Sequence, residues 1–63
     1  MAKEIKKVYN VPEWADKYPY IVVNVVNDGE RWFYGSYDSI ERAFEVAKEI
    51  GGEICDSWEG ISF

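Results

Sequence analysis

At 63 residues the chain makes one domain near the lower size limit for folding alone, where only about 60% of the unfolded surface becomes buried. One cysteine and no histidine exclude an internal disulfide and any Cys/His zinc site within one chain. The net charge is −5, all of it beyond residue 31: residues 1–31 balance five basic against five acidic groups, and residues 32–63 carry two against seven. That balance argues against nucleic-acid binding, which needs a basic footprint.

Stabilisation must therefore come from dense aromatic packing, with three Trp, five Tyr and three Phe, or from self-association. The charged start, Met1 to Lys7, does not read as a secretory signal. No run approaches the ~20 apolar residues of a membrane span. A cytoplasmic protein with a reduced thiol is expected, away from the membrane.

In chain order, Glu4 to Val11 fits either a helical face (Ile5, Val8, Tyr9) or a strand. The strand is favoured, paired at the sheet edge, because Val, Tyr and Asn ahead of a proline continue a helix poorly. Pro12 to Asp16 suits one helical turn with Pro12 at its first position, and Lys17-Tyr18-Pro19 breaks the path.

Tyr20 to Val26 (YIVVNVV) has β-branched residues and no Gly or Pro, which predicts a strand. Asp28-Gly29 supplies the positive φ angles of a hairpin turn, and Arg31 to Tyr37 returns as a second strand. Two registers are open. A two-residue turn places Val25 opposite Trp32 and Val23 opposite Tyr34, whereas a three-residue loop with Gly29 in a bulge places Val23 opposite Phe33. Either way both faces of the hairpin carry apolar groups, so something besides the helix must cover the second face.

Asp38 as N-cap, with Glu41 completing a capping box, opens a helix. Ile40, Ala43, Phe44, Ala47 and Ile50 define its apolar face, and Gly51 ends it as a left-handed C-cap. The EICDSW segment then reads as a closing strand, Glu59-Gly60 as a turn, and Ile61 to Phe63 as an apolar tail. Cys55 reads as a small buried hydrophobe.

The segment Arg31-Trp32-Phe33-Tyr34-Gly35-Ser36-Tyr37-Asp38, with the Ala43/Ala47 helix and Gly51-Gly52, resembles short bacteriophage and prophage proteins built from a hydrophobic hairpin and one helix. The resemblance covers residues 20–55. It implies no catalytic residues, but it suggests a protein that acts by binding a host or phage protein.

These readings predict a small α+β domain: three or four mostly antiparallel strands with one helix on a face (a ββαβ core). The strand after the helix should pair with the first hairpin strand. The core should hold Ile21, Val23, Val25, Ile40, Ala43, Phe44, Ala47, Ile50 and Ile54, and Phe44→Ala should cost about 3–5 kcal/mol.

No catalytic residue, cofactor or metal is expected. Cys55 has no histidine to activate it, and Gly51-Gly52 follows a helix, the wrong end for a phosphate. Two surfaces are candidates for function. One is apolar (Trp32, Tyr34, Tyr20, Val22, Trp58 and Phe63) and suits a protein partner or a homodimer through the sheet face or edge. The other is acidic, with Glu41, Glu45 and Glu49 about 6 Å apart along the helix. The expected function is a non-catalytic protein-binding module, a phage-encoded modulator of a host protein. The alternatives are a self-assembling homo-oligomer and an acidic nucleic-acid mimic.

Overall fold

The β-branched run at 20–26 forms a strand in the computed structural model, which describes residues 6–62. The elements are β1 (Lys6–Tyr9), a 3₁₀ turn (Glu13–Lys17), β2 (Tyr20–Val26), β3 (Glu30–Tyr37), α1 (Ile40–Ile50), β4 (Glu53–Cys55) and β5 (Ile61–Ser62). Pro12 stands just outside the 3₁₀ turn, not at its first position.

The protein is α+β, with one helix and one five-stranded mixed sheet ordered β4-β2-β3-β1-β5. Three or four mostly antiparallel strands were expected, and the difference lies in β1 and β5. β2 is antiparallel to β3 and β4, as the local sequence implies, but β1 runs parallel to both β3 and β5. The segment between β1 and β2 crosses a sheet face, with Ala15 fully buried, and leaves room for β3 to enter between them. β1 is therefore internal, because β5 covers its outer side.

The hairpin contains both candidate registers. Its loop has three residues, Asn27 and Gly29 taking positive φ (50° and 93°), and Gly29 N–H donates to the Val26 carbonyl at 3.1 Å. Asn27, not Asp28, thus shares the left-handed work with Gly29. From the loop, Val25 faces Arg31 and Val23 faces Phe33. A bulge then leaves Tyr34 unmatched, so Val22 faces Gly35 and Tyr20 faces Tyr37. Beyond the bulge the pairing is the one a two-residue turn would set.

The two faces of β2 carry two separate cores. On one, Ile21 and Val23 join Val8 and Cys55, with Val11, Phe33, Trp58 and Ile61 packed around them. Trp14 meets Phe33 edge-on at 6.0 Å, and Trp58 Nε1 donates to the Tyr18 carbonyl at 2.7 Å. The chain itself therefore covers the face that the helix leaves free. On the other, Val22 lies under Ala43 and Ala47, flanked by Tyr20, Tyr37, Val46, Ile50 and Ile54.

The helix differs from its sequence pattern in two respects. Ser39, not Asp38, is the N-cap: its backbone is extended and its Oγ accepts from Arg42 N–H at 3.4 Å. The expected Asp38–Glu41 box is consequently out of phase. The buried face is also rotated. Ala43 and Ala47 let the backbone settle onto Val22, Val46 and Ile50 fill one side, and Ile40 and Phe44 swing out to 45% and 54% exposure. Val25, expected inside, is 36% exposed. Gly51 does end the helix in the left-handed region (φ 70°), and Gly52 N–H donates to the Ala47 carbonyl at 2.8 Å.

Candidate partner-binding surface

α1 crosses β2 and reaches β3 and β4 on its two flanks, so the hairpin end of β3 and its neighbour β1 are left bare on that side. Successive residues of a strand point to opposite faces. Phe33 belongs to the core away from the helix, so Trp32 points to the helix side, where parallel pairing sets Tyr9 beside it. The two rings lie 5.2 Å apart at 31°, both more than a third exposed. Lys7 Nζ sits 5.8 Å from the centre of the Tyr9 ring, within range of a cation–π attraction. Glu30 Oε1 accepts from Trp32 Nε1 at 3.5 Å. The result is an aromatic pair held between a cation and a carboxylate.

The expected apolar surface is therefore dispersed. Trp32 is exposed, and so is Tyr34 (52%) at the bulge. Tyr20 is half-buried beside the helix, and Val22 is fully buried beneath it, so Val22 cannot form a contact surface. Trp58 packs against the opposite core. Phe63 lies outside the described residues. Tyr9, which sequence reasoning did not select, completes the patch; the only hint was its place in a segment with strand propensity.

Glu41, Glu45 and Glu49 are all exposed along α1. Their row is not a continuous acidic track, because Phe44 and Lys48 interrupt it. Arg31 Nε reaches across β2 to Glu53 Oε1 at 3.0 Å. Among the described residues, no three Cys, Asp or Glu side chains converge as a metal site requires, and no helix is long and apolar enough to cross a membrane.

Cys55 is buried in the first core. Burial pushes its thiol pKa up; Lys6 and then Arg31 pull it back, while Glu53 and Asp56 add to the rise. The folded protein thus favours the neutral thiol. Its contribution to stability is fully present below the unfolded thiol's pKa, about 8.5, and is lost as pH rises through the higher folded value. Stability in urea should accordingly decline above about pH 8.5, and Cys55→Ala should flatten that decline. An equal slope in the variant would assign it to other groups.

No protein family, curated protein or solved structure matches the chain.

Proposed function

We propose that this is a small non-catalytic protein-binding module, and that the Tyr9–Trp32 pair receives the partner. The observation that carries this reading is the exposed, pre-stacked aromatic pair on a sheet face that the helix leaves open. Trp and Tyr are enriched among residues that dominate binding energy, and rings already in place lose little freedom on binding. A charged rim of Lys7 and Glu30 suits the polar border of such contacts. The raised thiol pKa of Cys55 supports the non-catalytic part, since the thiolate is the nucleophile.

In its finer form the module is a phage-encoded modulator of a host protein, working in the cytoplasm. The resemblance of residues 20–55 supports that form. The test is a pull-down from bacterial lysate with the parent and a Tyr9→Ser/Trp32→Ser variant. The parent should retain a stoichiometric protein, and the variant should bind it with a loss of about 2 kcal/mol or more while still melting cooperatively. Undiminished affinity in a folded double variant would sink the assignment of this surface.

A further inference from the structure

The rotation of α1 leaves a second apolar surface, separate from the aromatic pair. Ile40 and Phe44 stand exposed on the flank of the helix nearest β4, an edge strand with no neighbour on its outer side among the described residues. Phe44 is the ridge between two grooves. One, about 420 Å³, has Lys48, Gly52 and Ile54 in its wall. The other, about 480 Å³, is bordered by Ile40, Glu41 and Glu45. The first groove is apolar but for one lysine, Lys48, and the second carries two glutamates, Glu41 and Glu45.

We infer that this flank binds a second copy of the chain, with β4 pairing antiparallel to its twin across a twofold axis near Ile54. A twofold contact brings the same patch of both subunits together, so the patch must complement itself. This one does. An antiparallel approach centred on Phe44 sets Glu41, one turn before it, opposite Lys48 of the other copy, one turn after it. The Glu41 side of each copy then meets the Lys48 side of its twin.

In the strand pair, Ile54 meets Ile54 and Glu53 meets Cys55, so no like charges face each other, an arrangement that would weaken a sheet. Spacing agrees as well. Strands lie about 4.8 Å apart, and α1 sits over β2, one strand in from the edge. The two helix axes would then be about 14 Å apart, beyond the 8–10 Å of direct helix contact. Only large side chains can fill that difference, and Phe44 and Ile40 stand there.

Sedimentation equilibrium on the full chain tests this. The parent should sediment as a dimer at high micromolar concentration. Phe44→Glu, at an exposed site, should remain folded by circular dichroism and raise the dimer Kd about 100-fold or more. Glu41→Lys and Lys48→Glu should each weaken the dimer roughly tenfold, since the axis repeats the pair, and the double reversal should restore it. A monomeric parent overturns the proposal, as does a dimer indifferent to Phe44→Glu or a double reversal weaker than both singles. A monomeric parent whose captured lysate protein is lost on Phe44→Glu would give the flank to a different occupant, also overturning it. Tyr9→Ser/Trp32→Ser should leave the dimer intact, so the two surfaces fail separately.

Discussion

Ile21→Ala should unfold this domain or bring it to the edge of unfolding. Ile21 is fully buried beside Val8, Val23 and Cys55, and truncating such a side chain costs about 2–5 kcal/mol in lost burial and residual cavity. At roughly 0.05–0.15 kcal/mol per residue, a domain of this length has about 3–9 kcal/mol in total. The expected result is loss of a cooperative urea transition, or a midpoint less than half the parent's. The same truncation at Phe44 is the instructive control. The helical pattern assigns it a core cost, but with half its surface exposed it should cost the monomer less than about 1 kcal/mol. Equal losses at the two positions would show that the helix rotation is misassigned.

The second large effect is expected at Gly52, and its neighbour makes the argument sharp. Gly51 has φ 70° and open space around the position of a β-carbon. Gly51→Ala therefore meets only the left-handed penalty, about 1–2 kcal/mol. A β-carbon on Gly52 would land on the carbonyl oxygen of Val23, with Ile50 side-chain atoms at 3.1 and 3.2 Å. A backbone oxygen in the middle of β2 cannot step aside without pulling β4 off the sheet. Gly52→Ala should cost about 3 kcal/mol, in the upper part of the overpacking range. Urea titration of the two variants side by side decides it. Gly52→Ala as mild as Gly51→Ala would mean that β4 sits farther from β2.

These contrasts mark where the amino-acid sequence stops being legible. The strand at 20–26, the helix and the Gly51 cap rest on signals a few residues long, and they are where the sequence places them. The helix rotation is different. Ile40, Ala43, Phe44, Val46, Ala47 and Ile50 cover a wider arc than one sheet can bury, and side-chain size decides which end of the arc is excluded. Two alanines over Val22 win because they allow the closest approach. The N-cap moved by one residue, from the expected Asp38 to Ser39, because serine caps as well as aspartate and no signal a few residues long separates the two. The bulge at Tyr34 and the parallel pairing of β1 depend on partners far along the chain, and Tyr9 joins Trp32 only through that pairing. Half of the candidate surface was thus invisible to any local reading.

The pairing of Lys6 with Ile61 also bears on how the chain reaches this state. Those two residues lie about 55 positions apart, so β1 cannot be sealed until almost all of the described chain has been synthesised. Contacts of such long span slow folding, because loop closure must be met before the contact returns anything. The hairpin, helix and β4 can assemble earlier around β2, leaving the outer edge of β1 open to strand pairing with other chains. Residues 61 and 62 then act as a late latch. Deleting them should leave a partly assembled protein prone to aggregate during expression, even though they contribute only the shortest strand of the sheet.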